Sequence, residues 1–302
     1  MKGRLLFFIV FLLERRGRVV YNTCMEKCFD CPRNCGVDRE KEKGFCREGS
    51  RIRVAKVIEN FMWEEPLISG KKGALAIFFS GCSLRCNYCQ NFQISHIGKG
   101  ESYSPEEFAS FLKKFDYSKY DSLDLVTPTH FSSLLKEAFS IFKPPVPVVW
   151  NSSGYEKVET LEGLSFIDVF LVDFKYHSKE LSKRLSFADD YFDVARQAIS
   201  FMIKSRQDKI EDGVLKRGVI VRHLVLPDEV RDSMAVLDEI AKMGKPILSL
   251  MRQFTPTGRG EKKRKISSLE FKTVLAHALK LGLDKGFVQD EDSASDKYIP
   301  SF

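Results

Sequence analysis

The stretch ALAIFFSGCSLRCNYCQN, residues 74–91, decides how this chain is read. Residues 74–80 form a short apolar run that stops at Gly81, the pattern of a strand buried on both faces. Cys82, Cys86 and Cys89 follow at C-x-x-x-C-x-x-C spacing. Three thiolates this close cannot complete a tetrahedral structural zinc site alone. They can hold three irons of a four-iron cluster and leave the fourth iron open. The bare spacing also admits a zinc knuckle that takes a fourth ligand from a distant His or Cys. The preceding strand, Tyr88 ahead of the last cysteine, and the α/β body that follows favour the cluster.

Beyond the loop, strand-like and helix-like segments alternate. Strands are expected at 123–127, 144–150, 168–174, 218–226 and 246–250, in addition to 74–80. Helices are expected at 104–115, 131–142, 176–185, 191–206, 229–243 and from Ser267 to about 281. Ser104 with Glu107, and Ser267 with Glu270, have capping-box spacing. Six β-runs interleaved with helices indicate an α/β fold with a parallel sheet, an open (β/α)6 partial TIM barrel with a small N-terminal cysteine-rich lobe. The expected organisation is an apolar and basic extension at 1–23, the cysteine-rich lobe at 24–70, the core at 71–255, and a basic loop, helix and tail at 256–302. In such barrels chemistry gathers at the C-terminal ends of the strands. There the sequence places the cysteine loop, Thr127-Pro128-Thr129-His130, Asn151-Ser152-Ser153-Gly154, Asp173 with Lys175, and Arg222-His223.

With 43% hydrophobic and 29% charged residues among 302, the chain has the composition of a folded soluble protein and not of a disordered one. Its net charge of +7 suits an anionic partner but is too small to indicate nucleic acid. All eight cysteines lie between positions 24 and 89, which reads as metal ligation in a reducing, cytoplasmic compartment rather than as a disulfide framework. The apolar run LLFFIVFLL, residues 5–13, is too short to span a bilayer as a helix, and no small-residue cleavage site follows it. It is expected to pack on the body; an unusual signal or an over-extended reading frame are the other readings. No P-loop, G-x-S-x-G elbow or H-E-x-x-H motif occurs, and RGEKKRK (259–265) reads as a solvated loop.

An open iron can bind and activate a small molecule. S-adenosylmethionine suits it, because its amino and carboxylate groups can chelate the metal. One electron into the sulfonium then breaks the S–C5′ bond and yields a 5′-deoxyadenosyl radical able to abstract hydrogen. At this point the chain resembles the radical SAM superfamily, and within it an uncharacterised branch related to pyruvate formate-lyase activating enzyme. The resemblance rests on FSGCSLRCNYCQN, LVTPTHF (125–131), WNSSGY (150–155), LVDFKY (171–176), KRGVIVRHLVLP (216–227) and the ending GFVQ…YIPSF. It implies that Cys82, Cys86 and Cys89 ligate the [4Fe–4S] cluster and that Tyr88 and Asn91 lie against the adenosyl group. Asn151 and Ser152 align with strand-end residues near S-adenosylmethionine, Asp173 and Lys175 with a D-x-K motif near its methionyl part, and Arg222 and His223 with the place of a basic residue near the cofactor. The usual Gly-Gly-Glu after the second strand is replaced by Thr127-Pro128-Thr129-His130, so the contact to the methionyl amino group would pass to Thr127, Thr129 or backbone carbonyls. Read alone, Asp173 and Lys175 also make a surface ion pair, and residues 151–154 an ordinary turn.

The resembling branch carries C-x-x-C-P-x-x-C-G-V and a later cysteine, which selects Cys28, Cys31, Cys35 and Cys46 for a second site, with Cys24 extra. Zinc and an auxiliary iron–sulfur cluster suit four thiolates equally. The expected function is that of an oxidoreductase that cleaves S-adenosylmethionine. A low-potential donor such as flavodoxin or ferredoxin would reduce it, and the resemblance offers a protein whose backbone glycine becomes a radical as a candidate substrate. The alternative is a non-catalytic iron–sulfur or zinc protein, an electron carrier or nucleic-acid module.

Overall fold

The apolar runs of the sequence become parallel strands because each is covered on both faces. A computed structural model describes residues 27–62, 64–290 and 293; the 1–23 extension, Cys24 and the end of the tail lie outside the described residues. In chain order the elements are β1 (Ile52–Phe61), α1 (Pro66–Ser69), β2 (Ala74–Phe79), β3 (Glu101–Tyr103), α2 (Pro105–Leu112), β4 (Ser122–Val126), α3 (Ser132–Ile141), β5 (Val148–Ser152), α4 (Val158–Glu162), β6 (Val169–Asp173), α5 (Lys179–Ser186), α6 (Tyr191–Ser205), β7 (Lys209–Glu211), β8 (Val214–Leu224), α7 (Val230–Lys242), β9 (Ile247–Met251), α8 (Ser268–Lys280) and β10 (Gly286–Val288). The sheet runs β10-β9-β8-β6-β5-β4-β2-β1-β3 and stays open. From β10 to β2 neighbours pair in parallel, while β1 joins β2 and β3 joins β1 antiparallel. This is an open partial (β/α) barrel.

The period-two alternation of side chains sorts the strands into an outer and an inner face. Outward, Leu123, Leu125, Trp150, Phe170 and Val221 pack with Leu135, Ala138, Ile199, Val236 and Val274 of the helices. Inward, Val149, Val169, Leu171, Ile220 and Ile247 close around Ile68 of α1, and Ser122 Oγ donates to the Ile68 carbonyl at 2.7 Å. Helix α1 therefore plugs the barrel floor. The inner residues nearer the strand ends are polar instead: Asn151, Asp173 and Arg222.

The six expected strands are all present and adjacent, and both capping boxes form. Several bounds shift for local reasons. β5 starts at Val148, after the prolines at 144, 145 and 147, which cannot donate to a ladder. α5 starts at Lys179 because Ser178 caps it, accepting from the Leu181 N–H at 3.1 Å. Four strands were not anticipated. β1, in the segment grouped above with the cysteine-rich lobe, belongs to the main sheet; β3 and β10 are short edge pieces. β7 pairs with a forward extension of β8 through Asp212-Gly213, both at positive φ. That Asp-Gly pair is the sequence signal of a two-residue hairpin turn.

Candidate active site

Strand β2 delivers the cysteine loop to the barrel mouth. Gly81 turns the chain at φ +79, and a Cβ there would lie 2.6 Å from the Cys46 carbonyl oxygen, so only glycine fits. Each thiol of the loop meets a polar neighbour. Cys82 Sγ accepts from the Leu84 N–H at 3.3 Å, Cys86 Sγ accepts from Ser186 Oγ at 2.9 Å, and Cys89 Sγ lies 3.3 Å from Ser95 Oγ. Burial pushes the Cys82 thiol well up and the Cys89 thiol up to about 11, and the neighbouring Cys86 adds to both. One buried and two half-buried thiols that repel one another once ionised fit a centre whose iron supplies the missing positive charge. Behind them runs a chain of hydroxyls: Tyr88 Oη meets Tyr176 Oη at 2.5 Å, and Tyr176 Oη meets Ser186 Oγ at 2.6 Å. Tyr176 and Ser186 were not singled out by the sequence; only their proximity in space reveals them.

A cavity of about 430 Å³ opens beneath the loop. Of the residues expected at the site, Cys86, Cys89, Tyr88, Asn91, Asn151, Asp173, Lys175 and Arg222 line it. The others face elsewhere. Thr127 adopts φ +62 and its N–H donates to the Asn151 carbonyl at 2.8 Å. Thr129 is buried and its hydroxyl donates to Glu156 at 2.7 Å. Ser152 Oγ accepts from the Gly154 N–H at 3.4 Å. His223 Nδ1 lies 2.7 Å from the Phe174 carbonyl, and His130 Nε2 lies 2.6 Å from the Ser80 carbonyl. Burial depresses both rings, to about 4 for His223 and about 3 for His130, so both stand neutral as wedges between strand ends.

The cavity floor is a charged network centred on Arg222. Its guanidinium donates to Asp173 Oδ1 at 2.8 Å, Glu64 Oε2 at 3.0 Å and Asn151 Oδ1 at 2.6 Å. Lys175 Nζ donates to Asp173 Oδ2 at 2.6 Å. Asn151 Nδ2 in turn donates to Glu64 Oε1 and Asp124 Oδ2, each at 3.1 Å. Burial raises the Asp173 carboxyl, but Arg222 and Lys175 outweigh it and hold the group below its usual range. Glu64 and Asp124 go the other way: burial lifts both, Asp124 to about 6, and Asp124 adds to the rise at Glu64. These two carboxylates came from a loop and a mid-strand position with no motif around them.

Glu156 is a further buried acid. Its Oε1 accepts from Thr129 and from Trp150 Nε1 at 3.1 Å, while Oε2 has no partner. Burial lifts its carboxyl from 4.5 to about 7 despite the hydrogen bonds that favour ionisation. A carboxyl raised in the folded state stabilises fully below its unfolded value and loses that contribution as pH climbs through the folded value. The loss between pH 4.5 and about 7 is on the order of 3 kcal/mol. Melting temperature should therefore fall from pH 5 to pH 8, and Glu156→Gln should flatten that fall when melting is followed by calorimetry. An unchanged slope in the variant would rule Glu156 out as the cause.

The N-terminal lobe sits on the loop. A turn closed by the Cys28 N–H to the Val37 carbonyl at 2.9 Å, and by the Gly36 N–H to the Cys28 carbonyl at 3.0 Å, folds the first three cysteines together. Cys35 Sγ accepts from the Phe45 N–H at 3.3 Å. Burial lifts the Cys28, Cys31 and Cys46 thiols, Cys31 to about 12 with Cys46, Cys28 and Cys35 contributing. Arg33 Nε donates to the Ser83 carbonyl at 2.7 Å, Arg85 to the Phe45 carbonyl at 3.0 Å and Arg39 to the His130 carbonyl at 2.7 Å. The Phe45 ring lies between the Arg33 and Arg85 guanidiniums, 3.9 and 4.2 Å from its centre. Among the described residues no three His, Cys, Asp or Glu converge tightly enough for a single metal ion. No helix among the described residues is long and apolar enough to cross a membrane.

A family described as a 4Fe-4S single cluster domain matches residues 68–191. An uncharacterized protein of Methanocaldococcus jannaschii is 31% identical over 293 residues, covering 90% of this chain and 80% of its own. The structure of Streptococcus suis SuiB bound to precursor peptide SuiA aligns with a TM-score of 0.47 at 12% identity, over 69% of this chain and 46% of that one. The chain thus spans less than half the length of SuiB. By its likeness to the archaeal protein along most of both sequences the chain belongs to that protein's family, and residues 68–191 of its open α/β barrel carry the match to a 4Fe-4S single cluster domain.

Proposed function

We propose that this chain cleaves S-adenosylmethionine reductively at a [4Fe–4S] cluster held by Cys82, Cys86 and Cys89, and uses the product to abstract hydrogen from a substrate. The observation that carries this reading is that Cys86 and Cys89 and six of the strand-end and loop residues open onto one cavity at the barrel mouth. When bound, the cofactor pair would supply the electron and the 5′-deoxyadenosyl radical. The protein's own residues position and exclude water. Tyr88 is held by Tyr176 and Phe254 and offers a flat surface for the adenine. Asn91 presents an amide beside it. Lys175, its ammonium held charged by Asp173 although burial opposes it, offers a cation to a carboxylate. Arg222 keeps Asp173 and Asn151 aimed into the cavity. The second cysteine set, Cys28, Cys31, Cys35 and Cys46, would have to draw closer together to hold an additional centre of zinc or iron and sulfide. The resemblance to pyruvate formate-lyase activating enzyme makes a protein backbone glycine the substrate class to test first, with flavodoxin or ferredoxin as electron donor.

The test is direct. Anaerobically reconstituted protein with dithionite should release 5′-deoxyadenosine from S-adenosylmethionine. A well-formed cluster that releases none would point instead to an electron carrier.

A further inference from the structure

Between the lobe and the segment after the cysteine loop lies an open cleft of about 610 Å³, lined by Lys43, Gly44, Arg47, Arg53, Phe92, His96, Ile97 and Gly98. Both cysteine sets approach the surface here. Gly44 backs onto the lobe thiols: a Cβ on it would lie 3.3 Å from Cys35 Sγ and 3.7 Å from Cys46 Sγ. From the other wall, His96 Nδ1 lies 2.8 Å from Ser95 Oγ, which lies 3.3 Å from Cys89 Sγ. One residue, Gly44, thus separates the cleft from the lobe thiols, and two, His96 and Ser95, separate it from Cys89.

Its rim is cationic, with Glu48 the buried carboxylate that feels Lys43 as well as Arg53. Arg53 pairs with the buried Glu48 at 3.3 Å. Among the described residues, no carboxylate pairs with Lys43, Arg47, Arg85 or Arg259. Arg47 donates to the His96 carbonyl, and Arg259 donates to the Cys89 carbonyl at 3.1 Å with its guanidinium 4.3 Å from the Phe92 ring centre. Lys43, Arg47 and Arg259 are exposed, and Ile97 adds an apolar side chain that is 61% exposed. Burial first, and then the charges of Arg47, Arg85 and Arg259, depress the His96 ring.

From this juxtaposition, and resting on the function proposed above, we infer that the cleft is the docking face for an acidic protein that carries one electron at a time. A basic rim with a small apolar centre steers and seats a partner of opposite charge, and a protein substrate would enter by the separate cavity that Cys86 and Cys89 line. One electron leaves the reduced iron–sulfur or flavin centre of the carrier, which is oxidised by one, and enters the cluster, which is reduced by one; no bond or proton moves.

The experiment compares reduction of the reconstituted cluster by a reduced, acidic [2Fe–2S] ferredoxin and by neutral deazaflavin photoreduction, followed by stopped-flow absorbance and electron paramagnetic resonance. Lys43→Glu with Arg47→Glu should slow reduction by ferredoxin on the order of tenfold or more and erase its dependence on salt. Photoreduction and iron content should stay as in the parent protein, and Lys272→Glu on the far helix α8 should behave as the parent does. Equal ferredoxin rates in the double variant and the parent overturn the docking face while leaving the cleavage reading intact. The same slowing in Lys272→Glu also overturns it. A parent protein whose photoreduced cluster forms normally but never cleaves S-adenosylmethionine overturns the cleavage reading and leaves the docking result standing on its own.

Discussion

Cys86→Ala should abolish 5′-deoxyadenosine release, by more than about a hundredfold, whereas Cys31→Ala should retain measurable release that is no longer coupled to substrate. The magnitude follows from the ligand role proposed for Cys86. Losing even a partner of a metal ligand lowers affinity or activity some ten- to a hundredfold, and losing the ligand itself goes further. Cys86 is also the thiol that receives the Ser186 hydroxyl and so ends the hydroxyl chain from Tyr88. Cys31 sits in the lobe, which touches the loop through Arg33, Arg85 and Phe45 but adds no thiol to it. Product quantification with iron and sulfide analysis on both variants separates the two outcomes. Equal, complete loss in both would refute an independent role for the lobe cysteines.

The second large effect belongs to Arg222. Arg222→Met fills a similar volume but strands the carboxylates of Asp173 and Glu64, which lose the donors at 2.8 and 3.0 Å. Removing one partner of a buried ion network costs about 3–5 kcal/mol. In a chain of 302 residues, with about 2.1 cal/mol/K of unfolding entropy per residue, that lowers the melting temperature by roughly 5–8 °C. The cost should be smaller at pH 5 than at pH 8, because Glu64 and Asp124, both lifted by burial, can take up protons and shed their repulsion. Arg222→Lys should recover little, since a single ammonium cannot reach three acceptors at once. A melting shift below about 2 °C in Arg222→Met would show that the network is not what holds the floor.

How far the sequence carried can be seen element by element. The parallel core was legible because runs such as 169–172 and 219–221 are apolar without interruption, which only two-sided burial explains. The cysteine loop was legible because its chemistry depends on spacing along the chain. The charged floor was only half legible. Asp173, Lys175, Asn151 and Arg222 stand at strand ends, where position alone draws notice. Glu64 and Asp124 reach the same spot from a connection and from within a strand, and nothing local sets them apart. Thr129 shows the reverse. It occupies the right place in the sequence, yet its hydroxyl turns to Glu156, 27 residues away, a preference fixed by a buried acid in need of donors. β1 escaped notice because its burial alternates irregularly, with bulges between Val54 and Lys56 and between Ile58 and Phe61.

The Cys46 carbonyl rests where Gly81 has no side chain, and Phe45 is clamped by one arginine from each partner. The small amino-terminal module therefore covers the root of the cysteine loop and braces it. A shortened chain beginning after this module should lose its iron in air faster than the full chain, even where its barrel remains folded.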